Sequence, residues 1–225
     1  MPHEVFDVHA KRYDRWFDDH PDTYRQELKI IRSILGERGA DREVSSETDL
    51  ERRSREGGSE GPDFERRSCD LEIGVGTGRF AAPLGIRLGL DPSIPMLRMA
   101  RTRGIQVIRG ATEELPLKDA SLRSILVMTS LCYFDDPGQA FLEMHRVLAP
   151  PGHLVIGFLG RGGEIAERYR KSGEKGIFLA HATFYTPGEV RSLLAGAGFT
   201  EAGELNTGGA RLKGFHVMTA TRPAG

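Results

Sequence analysis

The sequence predicts an α/β fold, a doubly wound and mostly parallel sheet preceded by a helical cap, within a single domain of 225 residues. Three observations carry that prediction. Short apolar runs of strand length recur along the chain and are separated by stretches of helical spacing. The first run, in CDLEIGVGTGRF (Cys69 to Phe80), passes straight into a turn where Gly74, Gly76 and Gly78 remove the side chain at alternate positions, so the backbone can bend tightly and approach a ligand. Ahead of it, residues 1–36 show helical patterning. A chain of this length buries roughly 70% of its unfolded surface around one core.

In order, the helical cap contains a helix start at His20-Pro21-Asp22, apolar positions Tyr24, Leu28, Ile31 and Leu35 at helical spacing, and Gly36 where a C-cap glycine belongs. Tyr13, Trp16 and Phe17 form an aromatic cluster before it. Residues 37–68 are dense in charge of both signs and nearly free of apolar side chains, so they predict a mobile surface insertion, either a solvated linker or a partner-binding arm. After the glycine turn, Pro83 leaves room for only a short helix. Ile86, Leu88 and Leu90 read as the second strand, with Asp91 at its C-terminal end, followed by helical spacing at Ile94, Leu97 and Arg101. The third and fourth strands are Gln106–Arg109 and Ser124–Met128, the fourth expected beside the first. Asp136 to Gln139 is a capping-box pattern opening a helix through Phe141, Met144, His145 and Leu148, which APPGH ends; His145 reads as a packed or surface residue. The fifth strand is His153 to Gly157. Thr186 to Glu189 opens the last helix, closed by Gly198, and Glu201–Asn206 and Phe215–Thr221 supply two final strands.

Composition excludes several functions. Lys plus Arg number 31 against 32 for Asp plus Glu, so bulk charge offers nothing to a nucleic acid. Only two cysteines occur, the start MPHEVFDVHAKRYD is charged where a secretory signal would be apolar, and no apolar run approaches a membrane span, which together predict a cytoplasmic protein. The seven histidines form no H-x-x-x-H or Cys/His cluster, so no metal site is expected, and no G-x-S-x-G elbow supports a hydrolase.

The glycine spacing is G-x-G-x-G, with Arg79 where a dinucleotide fingerprint needs its third glycine, which argues against a nicotinamide oxidoreductase. With Glu72 ahead of it, the string E-x-G-x-G-x-G resembles motif I of the class I S-adenosylmethionine (SAM) dependent methyltransferases, and in particular the small-molecule enzymes of the type 11 kind. The resemblance implies a Rossmann-like seven-stranded sheet with its last two strands antiparallel at the edge. It also implies SAM as cofactor. Amides of Gly74, Gly76 and Gly78 would donate to the SAM carboxylate and Glu72 would receive its ammonium. For Asp91, followed by Pro92, two roles can coexist: accepting from both ribose hydroxyls, and capping the next helix. The segment GATEELPL, Gly110 to Leu117, resembles the one that lines the family's adenine pocket. Ala111 stands in place of its aspartate, so adenine recognition is expected from backbone at Ala111 and Thr112, from the Thr112 or Glu113 side chains, and from packing by Met96.

At the end of the fourth strand, Thr129, Ser130, Leu131, Cys132 and Tyr133 are expected near the sulfonium, with a core role open for Leu131 and Cys132. Candidate acceptor-side residues are Tyr13 and Trp16 of the cap, whose packing alone is the other reading, and Cys132, Tyr133 and His181. Residues 161–185, with Tyr169, Phe178, Phe184 and Tyr185, would form a substrate-covering segment between the SAM-binding core at 69–160 and the last helix and edge strands at 186–225. The implied reaction is in-line transfer of a methyl group to a small-molecule acceptor, in which positioning supplies much of the rate. A base is optional, with Tyr13, Tyr133 or His181 as candidates. Quinone, phenol, amine and carboxylate acceptors all stay open, and a non-catalytic SAM-binding protein is the alternative.

Overall fold

Residues 4–40, 70–164, 166–167, 177–206 and 214–224 are described by the structure, a computed structural model. The expected charged insertion (from residue 41 onward), Cys69 and Tyr169 lie outside the described residues. Leu71, Glu72 and Ile73 form β1 (Leu71–Ile73), buried along its whole length because it has a parallel neighbour on each side. It pairs with β2 (Leu88–Asp91) and with β4 (Leu122–Met128); β3 (Gln106–Arg109) flanks β2, and β5 (Leu148–Leu159) flanks β4. Beyond β5 come β7 (Phe215–Arg222) and then β6 (Thr200–Asn206), β7 being antiparallel to both of its neighbours. The seven-stranded order is therefore β3-β2-β1-β4-β5-β7-β6. The strands run parallel across β1 and β4, but the order in which they are added reverses there, from outward through β2 and β3 to outward through β4 and β5, and in open α/β sheets a crevice for ligands opens at the carboxyl ends of strands at such a point.

Helices cover both faces, and the alternation within β4 shows why. Ile125 and Val127 point into a cluster with Phe141 and Met144 of the helix α5 (Pro137–Val147) and with Val190 and Leu194 of α6 (Pro187–Gly196). Leu126 and Met128 point to the other face, toward Leu97 and Ala100 of α4 (Ile94–Thr102) and toward the cap. The cap consists of α1 (Glu4–Asp19) and α2 (Pro21–Ala40), whose Phe17, Ile31 and Ile34 are at most 4% exposed within that second cluster. Burying side chains of this size contributes about 1.5–3 kcal/mol each, so the cap is part of the core. Within α1, His9 departs from helical backbone angles (φ −117°, ψ 23°) and kinks the helix.

Four local expectations are corrected. Gly36 does not end α2, which continues to Ala40; a glycine costs helix stability without forbidding the next hydrogen bond. Asp91 does not cap α4: Ser93 does, accepting from the Met96 amide. Ile86 precedes β2, buried against the cap side instead. The APPGH stretch lies inside β5, where a register shift opposite Leu122 and Ser124 absorbs the two prolines. The helix after the glycine turn, α3 (Ala81–Leu84), is as short as Pro83 predicts. The box at Thr186 and Glu189 is complete. At Asp136 only the half in which Asp136 accepts from the Gln139 amide forms, because the Gln139 side chain donates to the Glu113 carbonyl instead.

Candidate active site

A cleft enclosing about 970 Å³ of free space, part of it open to solvent, lies over the carboxyl ends of β1, β2 and β4. Its floor is backbone. Gly74, Gly76 and Gly78 all adopt positive φ (69°, 51° and 81°), and the amides of Gly74 and Val75 donate to the Leu90 carbonyl at 2.8 and 3.0 Å, turning the loop back over β2. A Cβ on Gly74 would stand 2.3 Å from the Ser130 Cβ, so only glycine fits there. Gly74 and Gly76 line the cleft, whereas Gly78 packs the loop onto Ala100 of α4 and does not.

Asp91 organises this floor. Its Oδ2 accepts from the Gly76 amide at 2.9 Å and its Oδ1 from the Ser93 amide at 2.8 Å, while the carboxylate still faces the cleft. Glu72 lies beneath, 2% exposed and outside the cleft lining; its Oε2 has no hydrogen-bond partner among the described residues. Burial pushes the Glu72 carboxyl well above the usual range, and the Asp91 charge adds to this against an opposing bond from the Ala81 amide. Burial of an unpaired oxygen of this kind costs free energy until a donor or cation reaches it.

Pro92, Met96, Ala111, Thr112 and Glu113 line one end of the cleft. There the Glu113 side chain is differently employed from the expectation: its Oε1 accepts from the amides of Asp135 and Asp136 at 3.0 and 3.3 Å, pinning the start of α5. The loop beyond is held from α5 as well. Glu143 accepts from the Leu115 amide, and Arg146 donates to the carbonyls of Leu115 and Leu117.

The other end is aromatic. Phe6 and Tyr13 of α1 and Tyr133 of the 3₁₀ turn Leu131–Tyr133 line it, with ring centroids 5.6 Å (Phe6–Tyr13) and 5.0 Å (Phe6–Tyr133) apart, both edge to face. Phe178 stacks on Phe6 at 5.3 Å, and its carbonyl accepts from the Tyr133 hydroxyl. Thr129 and Ser130 lie between the two ends; Thr129 carries a positive φ of 52°, uncommon for a β-branched residue, while its amide donates to the Gly157 carbonyl at 2.7 Å.

Three expected acceptor-side residues do not line the cleft. Trp16 stacks on His20 at 4.6 Å on the outer side of α1 and is 36% exposed; His181 is exposed on a neighbouring 3₁₀ turn. Cys132 faces inward, its thiol pushed up to about 12 by burial. Burial, followed by the charges of Glu72, Asp91 and Glu27, raises the Tyr13 phenol far above its ordinary value. In the ligand-free chain Tyr13 is therefore held as the protonated phenol, able to donate a hydrogen bond. Phe6, Met128, Phe134 and Asp135 line the cleft without having been singled out. Phe6 had a signal: Phe6, Ala10, Tyr13 and Phe17 recur at helical spacing, and Ala10 and Phe17 are buried.

Among the described residues no group of three or more His, Cys, Asp or Glu side chains is placed to hold a metal, and no helix is long and apolar enough to cross a membrane. Residues 71–156 match a family model described as a methyltransferase domain. An uncharacterized protein of Methanocaldococcus jannaschii is 33% identical over 196 residues, covering 87% of this chain and 80% of its own. An uncharacterized protein of Mycobacterium tuberculosis is 45% identical over 130 residues, 57% of this chain and 46% of its own, so the chain spans about half of that relative's length. A solved structure from Thermotoga maritima, described as a SAM-dependent methyltransferase and possible histamine N-methyltransferase, aligns over 99% of this chain and all of its own with a TM-score of 0.78 and 30% identity.

Proposed function

The chain belongs to the class I SAM-dependent methyltransferases, and from that premise we propose that this cleft binds SAM on its glycine floor and methylates a small molecule admitted at its aromatic end. One observation carries the reading: the Asp91 carboxylate, bonded to the Gly76 amide, stands in the cleft beside a loop that only glycine can form. The donor set suits this cofactor. The Asp91 carboxylate suits a ribose diol and the orphaned Glu72 oxygen suits an ammonium, whereas the amides of Gly74, Gly76 and Gly78, expected to hold a carboxylate, already donate to the Leu90 carbonyl, to Asp91 Oδ2 and to the Val75 carbonyl. Pro92, Met96, Ala111 and Thr112 supply an apolar slot with backbone polar groups for adenine, Glu113 contributing backbone only. When bound, SAM supplies a methyl group already activated on a sulfonium.

The chain's own residues then have to orient an acceptor and exclude water. Phe6, Tyr13 and Tyr133 do both, and their ring faces favour positive charge developing on an attacking atom. With Tyr13 and Cys132 held neutral, neither serves as base, which favours an acceptor that arrives nucleophilic, such as a free amine. The description of the Thermotoga maritima relative makes histamine the first acceptor to assay. Calorimetric titration with SAM and S-adenosylhomocysteine (SAH), on the parent and on Asp91→Ala, tests the floor. Saturable binding by the parent that weakens at least about tenfold in the variant is expected, the loss of more than one charged hydrogen bond; no binding by folded parent protein would refute the reading. Release of SAH in the presence of candidate amines then tests the acceptor class.

A further inference from the structure

Adjacent residues of α1 face two different parts of the site. Tyr13 packs on Gly76 inside the cleft, its ring 3.5 Å from where a Cβ would stand, while Asp14, 9% exposed, turns to the outer side of the glycine loop. Asp14 Oδ1 accepts from Thr77 Oγ1 at 2.6 Å and from Arg79 Nε at 2.9 Å; its Oδ2 accepts from Arg79 Nη2 at 2.7 Å and from Arg103 Nη2 at 2.9 Å. Arg103, at the C-cap of α4, also donates to the Thr77 carbonyl at 2.7 Å, and the Tyr24 hydroxyl of α2 donates to the Arg79 carbonyl. Both the side chain and the carbonyl of Thr77 are thus fixed, and Thr77 sits between the two positive-φ glycines Gly76 and Gly78. Burial alone would raise the Asp14 carboxyl, yet the bonds from Arg79, Thr77 and Arg103 hold it at about 2. None of Asp14, Thr77, Arg79 or Arg103 lines the cleft.

We propose that Asp14 is a positioning residue for the cofactor, a latch through which docking of α1 and the shape of the glycine loop become one equilibrium. A loop of three glycines has many conformations to lose on ordering, and a bond network that holds it in place lowers that cost at the moment of binding. A ligand selecting the ordered loop must, by reciprocity, also select docked α1. Asp18, which also pairs with Arg79, is 63% exposed and screened by solvent, so it contributes little to the latch.

The inference rests on the loop binding SAM, and its test keeps the two apart. SAH is titrated into the parent, Asp14→Asn, Asp14→Glu and Thr77→Val well below their unfolding temperatures, and hydrogen exchange of residues 12–17 is followed with and without SAH. Asp14→Asn is expected to raise the SAH Kd by about tenfold, within the usual range of coupling between sites, with partial rescue in Asp14→Glu. SAH should slow exchange at residues 12–17 in the parent and lose that effect in Asp14→Asn. A purely structural role would lower Tm and leave Kd unchanged, and parental affinity in Asp14→Asn overturns the latch. If Asp14→Asn does not fold, Thr77→Val is read on the same scale: a weakening of about threefold is expected for one lost hydroxyl bond, and an unchanged Kd overturns the proposal. A folded parent that binds no SAH overturns the SAM-binding reading itself.

Discussion

The two ends of the cleft are built on opposite plans. At the glycine floor, backbone faces the ligand, and side chains such as Asp91, Ser130 and Glu113 are used to tie backbone in place: Asp91 to the Gly76 amide, Ser130 to the Ile73 carbonyl, Glu113 to the start of α5. At the aromatic end, side chains line the cleft, and they come from α1 and from the turn after β4, with Phe178 stacked on Phe6. A floor of hydrogen-bonded backbone at strand ends has one shape, whereas a wall of packed rings can be recut residue by residue. The difference predicts that changes to the floor act chiefly on cofactor affinity and changes to the wall chiefly on the acceptor.

The hardest blow to the floor is Gly74→Ala. With the new Cβ 2.3 Å from Ser130 and φ at 69°, either SAH binding is lost or the protein unfolds, since overpacking and left-handed strain each cost on the order of 1–3 kcal/mol. Thermal melts alongside calorimetry read both outcomes, and near-parental affinity would break the contrast between floor and wall. Phe6→Ala cuts only the wall. Its SAH affinity should stay within about threefold of the parent while kcat/KM for an accepted amine falls at least about tenfold, the size of effect expected when a positioning contact is removed; equal losses in both would merge the two regions.

A smaller effect concerns the cap beneath the wall. Glu27 is 6% exposed, and burial raises its carboxyl from 4.5 to about 8. Because the folded value is the higher one, its contribution to stability is fully present below 4.5 and is lost as pH rises to about 8. Glu27→Gln, measured as Tm across that window, should therefore flatten the decline of the parent; parallel curves would show that Glu27 is not the responsible group. The smallest effect is a fraction of a proton. Burial raises the Glu72 carboxyl well above its usual range, so a cation arriving at its orphaned oxygen should lower it again and release part of a proton. SAM titrated near neutral pH in two buffers of different ionisation enthalpy should reveal the release, and Glu72→Gln should abolish it.

The floor was legible in the sequence because its determinants are local. Glycines at alternate positions after a short apolar run, and an acid at the end of the next strand, are spacings that backbone geometry demands. The seven strands could be placed for the same reason, their apolar runs being short and bounded by caps and turns. Residues whose task is set by tertiary neighbours were read less well. Glu113 is assigned by the start of α5, which folding brings to it across some twenty positions of chain, not by its place in the adenine segment. Trp16 drew notice as the only tryptophan, yet the helical phase turns it outward and turns Phe6 inward. Gly36 looked like a terminator because glycine is common there, but a cap also needs the chain to leave the helix, and here it does not.

The kink at His9 divides α1 into two mechanical parts. The section bearing Tyr13, Asp14 and Phe17 is bolted into the core and to the glycine loop, while the first turn lies across a joint and is held through the ring of Phe6 against Tyr13, Tyr133 and Phe178. Hinging at this joint would reshape the aromatic end and leave the glycine loop as it is. Amide exchange at residues 5–9 is then expected to run faster than at residues 13–17.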